Sequence, residues 1–518
     1  MAEKNEQPQV NPWIIAIAVM LSTFMEVLDT TVVNVSLPHI AGSMSASVDE
    51  ATWTLTSYLV ANAIILPITG WLSNYFGRKR MLMTSVTGFT AASFMCGLAP
   101  SLPLLVFFRV VQGACGGGLQ PISQAVLLES FPPEDRGKAM GFWGLGIVVA
   151  PMLGPVLGGW LTDSYSWRWV FYINIPIGIL ALVMTQLFVF DPHYIKRATS
   201  RIDYWGIGML AVGVGTLQIV LDKGQEKDWF SSTFITRLVI ISAIALVLFI
   251  VYELIVAHPV VDLRALKERT YSAGVFLMTV LGFVLYGSLV ILPIFLQTIL
   301  GYPALQAGVA MAPRGLGSFI AMPFVGLILS RYDARKLLVI GVLGCAASLV
   351  LLGTLNLNVG YWEIFWAQFL QGLSMGFLFV PLTTVTMDPI PNEKMGNATS
   401  IFNLMRNIGG SMGIALSTTI VARSEQQYTN FLGRHVNPYS PQTQMMFQNL
   451  RSFFMSSGSD AVTASQRAYA ALFGMVEEQA AMLSFNHTYL FLAIIFVIVM
   501  PAILLMKRPK SRGRMPVH

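Results

Sequence analysis

The sequence predicts an all-α, polytopic membrane protein with fourteen spans, and three observations predict it. Of the 518 residues, 55% are hydrophobic and only 11% are charged, against about 25% charged in a soluble domain. Apolar runs of ~20 residues, enough to cross a bilayer at ~1.5 Å per residue, recur along the chain. The cations between those runs segregate: 21 of the 32 Lys and Arg fall in loops that a single orientation places on one side.

The first six runs are 12–37, 52–73, 82–100, 104–127, 139–160 and 169–190. Arg78, Lys79 and Arg80 follow the second, Arg136 and Lys138 separate the fourth and fifth, and Lys196, Arg197 and Arg201 follow the sixth. Two further runs, 204–221 and 234–254, end at Arg264, Lys267 and Arg269. The last six are 271–299, 306–328, 337–355, 361–385, 398–422 and 486–506, with Arg331, Arg335, Lys336 and Lys394 in the loops of the same side. Lys4 precedes the first run, and Lys507, Arg508, Lys510, Arg512 and Arg514 follow the last. Only Arg168, Lys223 and Lys227 occupy the short loops opposite. The positive-inside rule then puts both termini in the cytoplasm. It also accounts for the net charge of +6 without any nucleic-acid partner.

The chain repeats itself. Pro132-Pro133-Glu134-Asp135-Arg136-Gly137-Lys138-Ala139 returns as Pro391-Asn392-Glu393-Lys394-Met395-Gly396-Asn397-Ala398, and Gln112-Gly113 returns as Gln371-Gly372 at the same offset. Gly70 to Arg80 returns more weakly as Gly326 to Lys336. Two related six-helix bundles around a pathway are the plan of a secondary transporter. The expected divisions are a cytoplasmic N-terminus 1–11, an N-terminal bundle 12–203, two inserted spans and linker 204–270, a C-terminal bundle 271–506 interrupted by an outer loop 423–484, and a basic tail 507–518.

Several classes are disfavoured. Cys96, Cys115 and Cys345 lie far apart in apolar runs, the pattern of small hydrophobes. The six histidines form no metal-ligand spacing. Gly137-Lys138 is followed by Ala139, so no Walker sequence is present and energy must come from a gradient. Mid-membrane catalytic constellations are lacking, so neither an enzyme nor a cofactor is expected. The first run is too long for a signal peptide and holds two acids.

Those acids, Glu26 and Asp29, carry the functional reading. They lie three residues apart, on one helical face. A carboxylate at membrane depth costs a few kcal/mol, so it requires a partner, a water path or a proton. Asp29 lies nine residues before Pro38, ~13 Å from the outer end, and Arg109 lies six after Pro103, ~9 Å into a helix descending from the same side. Arg109 is therefore expected beside Asp29, favouring its ionised form until conformation or cargo separates the two. The alternative is a permanent structural ion pair. Glu26 is a second proton site, a contact for cationic cargo, or merely lumen-facing.

The residues quoted so far, with four further stretches, resemble the major facilitator superfamily, and more narrowly its fourteen-span drug:proton antiporters of the EmrB/QacA type. The resemblance rests on Leu28 to Pro38, Gly70 to Arg80, Arg109 to Gly113, Gly146 to Gly159, and Trp167-Arg168-Trp169 with Phe171, Asn174, Pro176 and Gly178. The long outer loop, with Val436 to Pro441, leans toward the EmrB group, which implies an inner-membrane pump working with a periplasmic adaptor and an outer-membrane channel. The implied fold is two six-helix bundles plus two extra central helices. The implied function is proton-coupled export of amphipathic or lipophilic compounds; export of one metabolite, siderophore or lipid-like molecule is the alternative.

The resemblance implies gate roles for Gly70, Asn74, Gly77 and Arg78, and a moving seam between the bundles at Gly154, Pro155, Gly158 and Gly159, with Gly146. Asn74 stands where the superfamily loop carries an acid; it can still cap a helix but brings no charge. Candidate cargo contacts are Asn34, Tyr58, Asn62, Gln112, Tyr286, Gln297, Arg314, Gln371 and Asn403, each of which would serve equally as glue between helices. Arg406 has the same two readings. The 27 methionines suit a pocket that repacks around different guests. In the outer loop, Met446, Phe447, Leu450, Phe453 and Phe454, then Tyr469, Leu472, Phe473 and Val476, recur at helical spacing. They form either a docking surface or an amphipathic hairpin on the membrane.

Overall fold

The computed structural model describes residues 11–191, 203–256, 259–329, 331–437 and 439–506. Lys4, Lys196, Arg197, Arg201, Pro438 and the basic tail lie outside the described residues. The N-terminal half contains α1 (Pro12–Ser43), α2 (Trp53–Phe76), α3 (Arg78–Leu98), α4 (Leu102–Ser130), α5 (Arg136–Ser164) and α6 (Trp169–Phe188). Then come α7 (Tyr204–Lys223) and α8 (Thr233–Ile255). The C-terminal half holds α9 (Arg269–Ile299), α10 (Ala304–Ile328), α11 (Ala334–Leu352), α12 (Tyr361–Met387) and α13 (Met395–Gly433). It closes with α14 (Pro441–Ser456) and α15 (Ala461–Val499).

Thirteen of these helices are long and apolar enough to cross a membrane. α13 fills the fourteenth place but is more polar, because its first half is rich in Asn, Thr, Ser and Gly that pack against the other half of the molecule. The region expected as a separate outer loop, 423–484, is largely helical. α13 runs on to Gly433, and α15 is one continuous helix from Ala461 into its apolar end. Helix propensity carries both helices past the apolar boundary, and Tyr469 of α15 packs on Phe447 of α14 at 4.5 Å between ring centres.

The two halves meet most tightly at the end that carries the Arg78–Arg80 loop, here the basic end. A Cβ on Gly70 of α2 would stand 2.7 Å from the Asn397 Cα of α13, and one on Gly326 of α10 would stand 2.8 Å from the Gly137 carbonyl oxygen of α5. Backbones approach that closely only where a side chain is absent. Hydrogen bonds seal the same end: Thr399 Oγ1 donates to the Pro121 carbonyl at 3.1 Å, Asn403 Nδ2 to Gln124 Oε1 at 2.5 Å, and Arg136 Nη2 to Asn392 Oδ1 at 3.2 Å.

The loop 70–80 is held differently from expectation. Gly77, at φ +92°, turns the chain, and its amide neighbour Lys79 N–H donates to Asp191 Oδ1 at 2.8 Å. Asp191, from the end of the N-terminal half, thus caps α3, and the Asn74 side chain makes no hydrogen bond among the described residues. Arg78, fully buried, pairs with Glu129 of α4. The acids that hold this loop come from segments remote in sequence, Asp191 and Glu129, so the charge missing at Asn74 is supplied elsewhere.

The inserted α7 rests on both halves. On one side Asp222 accepts from Thr56, and Lys223 donates to Thr52. On the other, Gln218 Nε2 donates to Ser411 Oγ at 2.9 Å, and Trp229, just past the helix, donates from Nε1 to Thr419 Oγ1 at 3.0 Å.

Candidate proton site and cargo cavity

Asp29 lies on a stretch of α1 that is buried among α2, α4 and α6, and its side chain has no solvent exposure. Arg109 of α4 donates from Nη1 to Asp29 Oδ2 at 2.6 Å and from Nε to the Thr54 carbonyl at 2.9 Å. Gln112, one turn further along α4, donates from Nε2 to Asp29 Oδ1 at 3.0 Å and accepts from Arg109 Nη1 at 2.8 Å. Asn174 of α6 donates from Nδ2 to Asp29 Oδ1 at 2.7 Å and to Ser93 Oγ at 3.0 Å. The Arg109 guanidinium lies 4.2 Å from the Tyr58 ring centre and 5.7 Å from that of Phe171.

Each oxygen of the carboxyl group thus has a partner. Three donors, one of them a full countercharge, offset a desolvation cost of several kcal/mol that burial imposes on each ion. Removing the arginine would leave the buried carboxyl group without its countercharge.

Glu26 sits one turn earlier on α1, only 6% exposed. Asn62 Nδ2 donates to its Oε1 at 2.9 Å, while Oε2 has no hydrogen-bond partner. Across the interface Arg406 of α13 donates to Gln120 of α4, and both Arg406 and Gln120 interact with the Glu26 carboxylate.

A separate cavity lies between the halves. The space between its walls is about 870 Å³, open mouth included. α5 contributes an apolar wall of Ile147, Val148, Pro151, Met152 and Pro155. The polar groups, Tyr286, Arg314 and Arg406, all come from the C-terminal half. Asp29, Arg109 and Glu26 are not among the lining residues.

The nine cargo candidates scatter. Tyr286 and Arg314 line the cavity. Gln112 belongs to the Asp29 cluster, Tyr58 lies under Arg109, and Asn62 holds Glu26. Asn403 bonds Gln124 across the halves, and Gln371 donates to Ser288 Oγ at 3.2 Å. Asn34 and Gln297 are exposed. Polar residues at similar depths thus serve different faces, and depth alone does not fix the face.

The glycines of α5 also differ from expectation. A Cβ on Gly154 would meet Thr31 Oγ1 at 2.1 Å, one on Gly158 the Val32 carbonyl oxygen at 2.7 Å, and one on Gly146 Met20 Cγ at 2.8 Å. These three pack α5 onto α1 within one half. The seam between halves runs along the opposite face, where Gly137 and Gly141 meet Gly326 and Met322 of α10. Only Pro155 of the predicted seam residues reaches the cavity, and the nearest neighbour of a Cβ at Gly159 is Val35 at 4.0 Å. Asn174, Ser93 and Thr54 complete the Asp29 site although no role was read for them. Of these only Asn174 had a signal, its place at the head of α6 within the family pattern.

Residues 19–414 match the Major Facilitator Superfamily. The chain is 36% identical over 501 residues to the multidrug export protein EmrB of Escherichia coli K12, covering 96% of each chain. It is 35% identical over 506 residues to the fatty acid resistance protein FarB of Neisseria gonorrhoeae, covering 97% of each. A crystal structure of a double-tryptophan mutant of XylE superposes with a TM-score of 0.60 at 15% identity over 97% of each chain, a likeness of fold alone.

Proposed function

The chain belongs to the Major Facilitator Superfamily, and on that premise we propose that it is a proton-coupled multidrug efflux antiporter of the EmrB type, seated in a bacterial inner membrane with both termini in the cytoplasm. One observation carries the reading: a fully buried carboxylate, Asp29, is engaged by Arg109, Gln112 and Asn174 at a site separate from the cavity. A static ion pair would serve packing alone; the antiport reading requires in addition that α4 and α6 shift against α1 within the N-terminal half while the two halves rock.

The conformation described is closed at the basic end. In the proposed cycle, the engaged ion pair belongs to this state. Movement of α4 against α1 loosens the pair, Asp29 takes a proton, and the opposite opening follows. One elementary charge moved through 100 mV supplies ~2.3 kcal/mol, to which the pH difference adds. No cofactor takes part, and the protein moves its cargo without chemical change.

In this reading the helical extension beyond the membrane receives a periplasmic adaptor that leads to an outer-membrane channel. Met445, Phe453, Tyr469 and Phe473 are exposed there, on two helices stapled by the Phe447–Tyr469 ring contact at 4.5 Å. Deleting 440–480 should abolish adaptor pull-down and leave transport into vesicles intact; if capture survives, the extension is not the docking surface.

The decisive test is export by the purified chain in proteoliposomes under an imposed pH gradient, across lipophilic cations, weak acids and neutral compounds. Wild-type export should collapse with the gradient, and Asp29→Asn should transport at the collapsed rate under all conditions. Unchanged gradient-driven export by Asp29→Asn would remove Asp29 from the mechanism.

A further inference from the structure

Arg109 has a second set of contacts, on α2. Its Nε donates to the Thr54 carbonyl at 2.9 Å, and its guanidinium carbon stands 4.2 Å from the centre of the Tyr58 ring. Thr54 and Tyr58 lie four residues apart, on one face of α2. Arg109 is fully buried, and Tyr58 is buried with it. Nη2 of Arg109 and the Tyr58 hydroxyl have no hydrogen-bond partner among the described residues. The ring face, not the hydroxyl, is therefore what Tyr58 offers the guanidinium. Glycines join this seat to α4. A Cβ on Gly113 would fall against the Tyr58 carbonyl, 3.0 Å from the Tyr58 Cα, and one on Gly117 would stand 2.7 Å from the Asn62 carbonyl oxygen. Asp29 belongs to a different pair of helices. Trp143 Nε1 of α5 donates to Thr23 Oγ1 of α1 at 3.2 Å, Ser36 and Thr162 share a hydrogen bond at 2.7 Å, and Gly158 brings α5 to the Val32 carbonyl. The Asp29–Arg109 bond thus crosses between two close-packed pairs, α1 with α5 and α2 with α4.

We propose that Thr54 and Tyr58 are positioning residues: they form a seat that keeps Arg109 buried and in place while Asp29 is neutral. The inference rests on the antiport reading, in which Asp29 takes up a proton in each cycle. At that moment the guanidinium loses its anion while it stays out of water. A buried cation without compensation is costly. The carbonyl and the ring attract it without carrying a charge, and an aromatic face holds a desolvated cation more strongly than one at the surface. Because α4 and α2 touch backbone to backbone, Arg109 stays with Tyr58 when α1 shifts, and it meets Asp29 again when the shift reverses. The other ionisable groups facing the cluster are Glu26 on α1 and Cys96 on α3. Glu26 accepts from Asn62, and Cys96 Sγ donates to Gln112 Oε1 at 3.6 Å, so neither bonds Arg109.

The test is thermal unfolding of the full chain in detergent, with Tyr58→Leu placed in two backgrounds, wild type and Asp29→Asn. Asp29→Asn holds position 29 neutral. The loss of Tm caused by Tyr58→Leu should be roughly twice as large or more in Asp29→Asn as in wild type, since the ring then holds the cation without an anion. Tyr58→Phe keeps the ring face and should leave Tm within about two degrees in both backgrounds. Adding Arg109→Gln to the Asp29→Asn, Tyr58→Leu variant should remove the excess loss, and should restore folding if that double variant does not fold. An equal loss from Tyr58→Leu in the two backgrounds would overturn the proposal, because a ring that only fills space costs the same in both. In proteoliposomes Tyr58→Leu should lower the maximal rate of gradient-driven export by about threefold or more with KM within about twofold, as Tyr58 does not line the cavity. Tyr58→Phe should export like wild type. An unchanged maximal rate in Tyr58→Leu would overturn the proposal as well. Unequal Tm losses together with export that ignores the gradient would refute antiport alone. Gradient-driven export with equal Tm losses would refute the seat alone.

Discussion

Gln112 and Gln371 make the same hydrogen bond in the two halves of the molecule. Gln112 Nε2 donates to Asp29 across 3.0 Å, Gln371 Nε2 donates to Ser288 across 3.2 Å, and each donor follows its acceptor by 83 residues. One turn before each glutamine stands Arg109 in the first half and Gln368 in the second, bonded to it at 2.8 and 3.4 Å. The C-terminal half therefore keeps the architecture of the Asp29 cluster with both charges removed.

That neutral counterpart makes a prediction. Ser288→Ala should keep gradient-driven export within about twofold of wild type, since a hydroxyl carries no titrating charge at working pH and one neutral bond contributes only about 1 kcal/mol. Asp29→Asn should abolish coupling in the same vesicles. A Ser288→Ala variant as uncoupled as Asp29→Asn would show that both halves carry the proton.

The packing of α5 on α1 separates adjacent glycines. A Cβ at position 158 meets the Val32 carbonyl oxygen at 2.7 Å, whereas at position 159 its nearest neighbour is 4.0 Å away. Gly158→Ala should destabilise the protein by about 1–3 kcal/mol through overpacking and lower its Tm in detergent. Gly159→Ala should leave Tm within a degree or two. Thermal melts of the two purified variants check the difference.

The contact of Gln124 in α4 with Asn403 in α13 at the basic end makes alternating access testable. With Cys96, Cys115 and Cys345 replaced by alanine, Gln124→Cys with Asn403→Cys should be bridged by a short bifunctional methanethiosulfonate, because the native side chains meet across the halves at 2.5 Å. The cross-linked protein should stop transporting, and reductant should restore activity. Full transport by the cross-linked form would mean that these helices do not part during turnover.

Beyond the membrane, Asp460 caps α15. Thr463 Oγ1 donates to its side chain at 2.5 Å, with the Thr463 and Val462 amides at 3.2 and 3.0 Å. These bonds favour the carboxylate and hold its pKa below the ordinary value, Thr463 foremost. A depressed folded-state pKa stabilises the helix start above the unfolded value, and that contribution is lost as pH falls through the folded one. Amide exchange at residues 461–466 should accelerate below about pH 4. Asp460→Ala should show the fast exchange at every pH, and Asp460→Asn should lack the pH step because it caps without a charge.

Much of this molecule can be read from its residues alone, since bilayer thickness imposes a length on apolar runs and basic loops punctuate them. The Asp29–Arg109 contact was legible for a similar reason: two residues counted from opposite helix ends arrive at one depth. Rotation about the helix axis leaves no such trace. Gln112 was therefore read as a cargo contact although it faces Asp29, and Gly154 and Gly158 as an inter-bundle seam although they face α1. Contributions from remote segments were also hidden; nothing near Gly77 in sequence announces that Asp191 caps α3. The outer helices are visible as periodicity at Phe447 and Tyr469, but not that α13 runs on to Gly433 or that the helix of Tyr469 continues into the last span, because hydropathy ends where the helix does not.

The double attachment of α7 has a mechanical consequence. A helix bonded to Thr52 and Thr56 on one bundle and to Ser411 on the other cannot ride passively on either. Each stroke must exchange one set of these bonds for water or new partners, so the added pair of helices behaves as a detent that sets how long the carrier dwells in each posture. Loosening Gln218 alone should then speed the stroke while weakening the hold on its endpoints.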